Sequence, residues 1–107
     1  MIWIALTLAA ASPSPIVLTD IRGWELVRLC EGAPTDLTQT FCTGYILGAF
    51  DSMSLSRQIC PILGGATTLQ AVTVGRLYLQ GHVSEWNNHP ADLVRRAMLE
   101  AFPCRRH

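Results

Sequence analysis

The chain has 107 residues, the length of one small domain, and its formal net charge is zero because eight arginines balance eight Asp and Glu residues. A neutral chain argues against a nucleic-acid-binding protein, which would carry a basic excess. The apolar fraction of 50% and the charged fraction of 15% exclude a disordered chain, and no apolar run reaches the roughly 18 residues of a membrane-spanning helix. This composition predicts a compact globular domain.

The first residues have the pattern of a secretory signal peptide. Residues 2–11 form an apolar and small-residue stretch of the right length, and Ala9 and Ala11 fit the small-x-small cleavage pattern. Cleavage after Ala11 would leave residues 12–107 as a single exported domain. A buried first helix and an incorrectly assigned start codon are the alternatives, because no Arg or Lys follows Met1 in this stretch.

The four cysteines, Cys30, Cys42, Cys60 and Cys104, predict disulfide bonds, because an even number in a short exported chain is typical of paired cysteines. Their spacings contain no C-x-x-C pair, so neither a zinc site nor a redox motif is predicted. Four cysteines allow three pairings. Cys30 and Cys42 flank the turn-rich residues 31–36, where two helices could be joined, and this favours Cys30–Cys42 together with Cys60–Cys104.

The first predicted helix begins after a cap at Thr19 or Asp20 and runs to about Cys30. Gly32 follows it, at the position where a left-handed residue often ends a helix, and Pro34 prevents its continuation. The apolar positions of this helix are Trp24, Leu26, Val27, Leu29 and Cys30.

Asp36 is the predicted N-cap of a second helix over residues 37–57. One apolar face repeats at the helical period and consists of Cys42, Ile46, Ala49, Phe50 and Met53. A second face carries Phe41, Tyr45, Gly48 and Ser52. A helix with two such faces is either the centre of the domain or part of a subunit interface, so Phe41, Tyr45 and Gly48 are the predicted contacts of a homodimer. The two internal glycines would let another helix pack closely.

A loop at residues 60–65 precedes a third helix, which is capped by Thr67 or Thr68 and ends near Gln80. Its apolar stripe is Ala71, Val74, Leu77 and Tyr78. The β-branched residues 72–74 would suit a strand equally well and leave that alternative open.

The polar residues 82–89 separate the third helix from a fourth. Pro90 suits the first position of that helix, Asp92 lies in its first turn, and Pro103 ends it. Its apolar stripe is Val94, Ala97, Met98 and Ala101. The chain is therefore predicted to be an all-α, disulfide-stapled domain of about four helices.

The sequence carries no recognised catalytic set: it lacks the nucleophile elbow, the Walker A motif and the dinucleotide-binding glycines. His82 and His89 share one loop in which only Glu85 offers another metal ligand, so neither a metal site nor a cofactor is predicted. Asp51 is expected to be exposed. A small enzyme stays an alternative only if His82 or Asp51 is buried among other ionisable groups.

Trp86 is the most informative residue of the polar stretch. A large aromatic ring in a polar loop suits a binding anchor, so Glu85, Trp86 and Asn87 are the predicted contacts with a partner. The alternative is that the ring folds back onto its own domain.

Several motifs combine into a family pattern. The second helix reads Cys42-x-Gly44-Tyr45-Ile46-x-Gly48-x-x-Asp51, and it is followed by Ile59-Cys60-Pro61, Gln70 and Tyr78-Leu79. The chain then ends with Ala91-x-Leu93-Val94, Ala97 and Ala101-Phe102-Pro103-Cys104. These residues resemble the Rap/Tai-type immunity proteins of type VI secretion systems from about Cys30 to Cys104. The chain departs at Ile62 and Val83, where the family commonly has proline.

The resemblance implies a small, all-helical, disulfide-bonded periplasmic protein that is often dimeric. Such a protein binds and sterically blocks a secreted toxin, typically an amidase that cuts peptidoglycan peptides, and it needs neither catalysis nor a cofactor. Glu85, Trp86 and Asn87 then become the predicted toxin contacts. A generic periplasmic helical protein, such as an adaptor or an acid-stress chaperone, is the alternative.

Overall fold

A computed structural model describes residues 15–104, apart from the side chains of residues 63 and 64. This part of the chain contains no strand, so the predicted all-α, disulfide-bonded fold is confirmed. Its elements are α1 (Gly23–Leu29), α2 (Phe41–Leu55), the single-turn α3 (Pro61–Gly64), α4 (Thr68–Gly81), a 3-10 turn (Val83–Glu85) and α5 (Pro90–Ala101). The predicted signal peptide, residues 1–11, lies outside the described residues. No helix within residues 15–104 combines the length and the apolar character that crossing a membrane requires.

The first helix is shorter than predicted because Arg22, and not Thr19 or Asp20, is its N-cap. The backbone N–H of Arg22 donates to the carboxylate of Glu25 at 3.0 Å, so the third residue of the helix satisfies the cap. The buried apolar positions are Leu26, Val27 and Cys30, whereas Trp24 and Leu29 are exposed.

The second helix begins at Phe41, four residues later than predicted, because Asp36 is not its N-cap. The Asp36 carboxylate accepts a hydrogen bond from the backbone N–H of Thr38 at 2.8 Å and another from the Thr38 hydroxyl, and this closes a local turn. Thr40 caps the helix instead, since its hydroxyl accepts from the backbone N–H of Thr43.

The third and fourth predicted helices begin where the sequence indicates. At α4 the hydroxyl of Thr67 accepts from the backbone N–H of Gln70 at 3.2 Å, and the Gln70 side chain accepts in return from the backbone N–H of Thr67 at 2.9 Å. Pro90 is the first residue of α5. Residues 72–74 are helical, and the predicted loop at 60–65 contains the single-turn α3.

The central helix is α4, which packs against α2 and α5. Its buried face differs from the predicted stripe and consists of Ala71, Val72, Gly75, Arg76 and Leu79. Leu77 is exposed. Gly75 lets α2 approach, because a Cβ there would lie 2.8 Å from Cγ2 of Ile46. At the two internal glycines of α2, by contrast, an added Cβ would have no atom of residues 15–104 within 4 Å, so no described helix packs closely there.

A buried arginine joins α4 to the end of α1. Arg76 is 2% exposed, and it donates hydrogen bonds to the carbonyls of Cys30 at 2.9 Å and Glu31 at 3.2 Å. Gln80, one turn later, donates to the carbonyls of Cys30 and Gly32. A positive charge at the C-terminus of a helix is favourable, and these donors satisfy carbonyls that the helix itself leaves free.

The two disulfides, Cys30–Cys42 and Cys60–Cys104, have the pairing that the sequence favours, and they mark the two ends of the bundle. The loop end comprises Cys30–Cys42 and residues 82–89, which connect the end of α4 to the start of α5. The far end comprises Cys60–Cys104, which follows the last turns of α2 and α5, where the backbone N–H of Cys60 donates to the carbonyl of Phe102.

Candidate functional site

The connection between α4 and α5, loop 82–89, holds its tryptophan inward. The Trp86 ring is half-buried and packs against the core, and its indole N–H donates to the carbonyl of Leu79 at 2.7 Å. The Trp86 ring therefore folds back onto its own domain, which is the predicted alternative to an exposed anchor. This hydrogen bond ties the loop to the last turns of α4.

Glu85 joins the same loop to two helices. Its carboxylate accepts from the phenol of Tyr78 on α4 at 3.1 Å and forms a salt bridge with Arg96 on α5. Arg96 also pairs with Asp92 at 3.1 Å, one helical turn earlier. The hydrogen bond from Arg96 is the main reason that the pKa of Glu85 lies below its ordinary value. Burial, supported by the bond to Glu85, raises the pKa of the Tyr78 phenol.

The two histidines of the loop both make structural contacts. The His82 ring stacks on Tyr78 with 3.6 Å between ring centroids, and its Nδ1 lies 2.8 Å from the Tyr78 carbonyl. The His89 Nδ1 accepts from the backbone N–H of Ala91 at 3.0 Å, so its Nε2 carries the proton and donates to the carbonyl of Thr19. His89 thus caps α5 and holds the segment that precedes α1.

A glycine of α1 completes the support of the loop. A Cβ at Gly23 would lie 2.6 Å from the carbonyl oxygen of Trp86 and closer still to that of Asn88, and it would touch Leu93 on α5 at 3.0 Å. Only the absence of a side chain lets α1 lie directly against the loop backbone. Loop 82–89 is therefore supported by three helices and is rigid for its length.

The three predicted partner contacts have different surroundings. Asn87 is exposed, whereas Glu85 and Trp86 are half-buried and are engaged within the domain. Val83 and Ser84 are also exposed and accompany Asn87 on the outer surface of the loop. The sequence therefore predicted the loop and, of its exposed side chains, Asn87 but not Val83 or Ser84.

Sequence reasoning missed the residues that support the loop. Arg96 belongs to none of the predicted stripes or contacts, although its spacing from Asp92 is that of a helical ion pair. Tyr78 was assigned to an apolar stripe, and Gly23 carried no signal, because its contacts lie on residues more than sixty positions away.

The predicted dimer contacts lie on one side of α2. Phe41 is exposed, its ring centroid lies 5.8 Å from that of Tyr45, and Tyr45 is half-buried. Burial raises the pKa of the Tyr45 phenol. Gly48 is exposed, and it lines an open groove of about 480 Å³ between α2 and α5 that extends to Arg95.

Within residues 15–104 no group of three or more His, Cys, Asp or Glu side chains is arranged to hold a metal ion. All four cysteines are bonded. Asp51 is exposed, and His82 is half-buried with its ring stacked on that of Tyr78, whose phenol donates to Glu85. The contacts of His82 and Tyr78 hold loop 82–89 to α4, and Asp51, on α2, takes no part in them.

Comparison with family models identifies the chain. The model of the Rap1a immunity proteins matches residues 22–104, from the N-cap of α1 to the last cysteine. The chain belongs to the Rap1a immunity protein family. Searches of curated proteins and of solved structures gave no match.

Membership in an immunity family implies a role in protection from a toxin, which means a toxin partner and inhibition by binding rather than catalysis. The matched segment contains both disulfides and the whole of loop 82–89. Two disulfides in so small an immunity protein are consistent with a location outside the cytoplasm.

Proposed function

We propose that the mature chain, residues 12–107, is a periplasmic immunity protein that binds a type VI secretion toxin, a peptidoglycan amidase, and inhibits it by steric blockage. The observation that carries this proposal is the family match over residues 22–104. The amidase and the type VI system come from the resemblance of the sequence motifs. The two disulfides support export to an oxidising compartment, and removal of residues 1–11 would accompany that export.

Inhibition in this proposal needs a rigid surface, because an inhibitor that is already ordered loses less entropy when it binds. Loop 82–89 meets this requirement, since Glu85, Trp86 and Gly23 fix it to three helices. Asn87 and Val83 would touch the toxin directly. Glu85 and Trp86 would contribute through their outer edges and by holding the loop in shape.

The decisive experiment is a rescue assay. The product of the adjacent open reading frame is exported to the periplasm of a test cell, with and without this protein, and survivors are counted. We expect lysis that co-expression reverses, and peptidoglycan fragments cut in their peptides. A harmless neighbour, or killing that this protein does not relieve, would contradict the proposal and favour the adaptor or chaperone alternative.

The loop assignment has its own test. Asn87→Arg should weaken toxin binding by at least about tenfold, because a long charged side chain would enter a packed interface. The thermal unfolding midpoint should not change, since Asn87 is exposed. Ser56→Arg, the same residue introduced at an exposed position after α2, is the matched control and should bind as wild type does. Equal affinity for both variants would contradict the loop assignment.

We further propose that the exposed side of α2 pairs two copies of the chain through Phe41, Tyr45 and Gly48. Exposed apolar surface such as Phe41, beside a groove and a helix position without a side chain, is typical of helix–helix association. Light scattering at micromolar concentration should give the mass of a dimer, and Gly48→Glu should give the monomer. Wild-type protein that remains monomeric would contradict this arrangement.

A further inference from the structure

The outer side of α1 carries an aromatic ring and a cation that the rest of the domain does not use. Trp24 is 41% exposed, and the guanidinium carbon of Arg28, one turn later, lies 5.1 Å from the centroid of the Trp24 ring. This is the geometry of a cation–π pair, which holds the arginine in one orientation at the surface. Arg28 forms no salt bridge with any residue of the described segment.

The helix that carries this pair is in contact with loop 82–89. Gly23, the residue directly before Trp24, lies against the backbone carbonyls of Trp86 and Asn88. The contact fixes α1 beside the loop, and Trp24 is the next residue of the helix after the contact point. Trp24 and the exposed Asn87 therefore belong to two elements whose backbones are in direct contact.

A third segment adds apolar area at the same end. Residues 16–18 are exposed, and they directly precede Thr19, whose carbonyl is bonded to His89 at the start of α5. Val83 is 61% exposed. Exposed apolar side chains on neighbouring elements, together with a tryptophan and an arginine, are the residue types that protein interfaces use.

We propose that the Trp24–Arg28 pair of α1 forms the second half of the toxin-binding surface, with the ring packing on an apolar group of the toxin and the guanidinium binding a toxin carboxylate. The inference rests on the proposed function, and it names a partner chemistry that loop 82–89 alone does not give. Tryptophan and arginine are the residues most enriched among the dominant contacts of interfaces. A planar guanidinium with free donors matches a carboxylate in two hydrogen bonds.

The orientation of Arg28 is the reason for choosing a carboxylate as its partner. The guanidinium carbon of Arg28 lies over the Trp24 ring, and its N–H groups form no salt bridge within the described segment, so they are available to an acceptor. The nearest acid along the helix, Glu25, is engaged with the backbone N–H of Arg22. A bound carboxylate would therefore not compete with a pair already formed inside the domain.

The test is a calorimetric titration in which the purified product of the adjacent open reading frame binds either the wild-type protein or one of its variants. Trp24→Ala should weaken binding by about 30-fold and Arg28→Glu by more than that, since a carboxylate would then face a carboxylate. Arg28→Ala should bind more weakly than wild type, and its affinity should vary less between about 50 and about 500 mM NaCl.

Two substitutions serve as matched controls. Leu69→Ala removes an apolar side chain that is 42% exposed, close to the 41% of Trp24, and lies on α4 near its start, away from the loop. Arg57→Glu makes the same charge change at the far end, where Arg57 is exposed. Both should bind within about threefold of wild type. Unfolding midpoints of all variants are measured alongside to separate loss of contact from loss of fold.

The outcomes separate this inference from the proposed function. Wild type that binds the neighbouring protein tightly, with Trp24→Ala and Arg28→Glu binding equally well, would overturn the inference and leave the immunity proposal intact. Absence of binding by the wild type would contradict both. Loss of binding by Arg57→Glu as large as that of Arg28→Glu would mean that net charge, and not a contact on α1, controls association, and this also would overturn the inference.

Discussion

The two ends of the bundle are built by different means. At the far end the connections are apolar and covalent: the Phe50 ring meets Phe102 edge-on at 5.5 Å, and Cys60–Cys104 closes a segment of 44 residues. Leu55 and Ile62 remain exposed there. At the loop end side chains hydrogen-bond to backbone and to one another across α1, α4 and α5, with Arg76 fully buried among carbonyls.

Covalent links and directional hydrogen bonds contribute to the protein in different ways. A disulfide that closes a long segment stabilises the fold mainly by restricting the unfolded chain, whatever its local surroundings. Directional hydrogen bonds to a short loop contribute less free energy in total, but they fix the position of particular atoms. Both ends therefore gain stability from a disulfide, but only the loop end adds the directional bonds that fix the surface an inhibitor presents.

The largest effect is expected from removing the far-end disulfide. Cys60→Ser with Cys104→Ser should lower the free energy of unfolding by about 4 kcal/mol, measured by urea denaturation. At a temperature where this variant is folded, its affinity for the toxin should change by less than about threefold, because the two ends share no partners. A tenfold loss of affinity would show that the two ends are coupled, and it would contradict the separate roles assigned to them.

The loop-end disulfide should behave in the opposite way. Cys30→Ser with Cys42→Ser opens a segment of only 12 residues, and the loss of unfolding free energy should be about 3 kcal/mol. Toxin affinity should nevertheless fall by about tenfold or more, since α1 loses its covalent link and no longer holds the loop firmly. If the folded variant binds the toxin with wild-type affinity, the surface that binds the toxin does not depend on the support of the loop by α1.

A single methyl group tests the contact between α1 and the loop. Gly23→Ala should lower the free energy of unfolding by about 2 kcal/mol, because the added Cβ would overlap two backbone carbonyls that cannot move as side chains do. Gly81→Ala is the matched control, since its Cβ would meet no described atom within 4 Å, and it should be neutral or slightly stabilising. Equal unfolding curves for the two variants would contradict the contact.

The smallest effect concerns pH. Because the pKa of Glu85 is lowered in the folded protein, its charged form stabilises the fold above the ordinary pKa of a glutamate, and this contribution disappears as the pH falls through the lowered value. Glu85→Gln should therefore have a lower unfolding midpoint than wild type at about pH 7 and the same midpoint at about pH 2. Glu100→Gln, at an exposed position on α5, should show no such difference. A difference in unfolding midpoint between Glu85→Gln and wild type that persists at about pH 2 would mean that Glu85 stabilises the fold by packing alone.

Local signals predicted the fold well where one segment contains the whole cause. The Thr67 capping box, Pro90 at the first position of α5 and the apolar face of α2 around Ile46 all lie within a few residues of what they determine. The predicted start of α2 was wrong because Asp36, although aspartate is a favourable N-cap residue, accepts a hydrogen bond from Thr38 instead. Sequence type alone does not distinguish these two uses of an aspartate.

Long-range polar contacts were beyond local reasoning. Arg76 interrupts the apolar pattern of α4 and yet is buried, because its acceptors are the backbone carbonyls of Cys30 and Glu31, which any residue type would offer. The same limit applies to the site. Composition predicted the position of loop 82–89, whereas the inward direction of Trp86 depends on a carbonyl of Leu79 that carries no sequence signal.

The cysteines are bonded in the order in which they occur along the chain, first to second and third to fourth. A chain that enters an oxidising compartment with its N-terminus leading presents Cys42 as the first thiol that Cys30 can meet, before Cys60 has emerged. Stepwise oxidation of neighbours then gives the native pairing directly. If the chain is exported as proposed, its native pairing can form by oxidation of successive neighbours, without reshuffling of incorrect bonds.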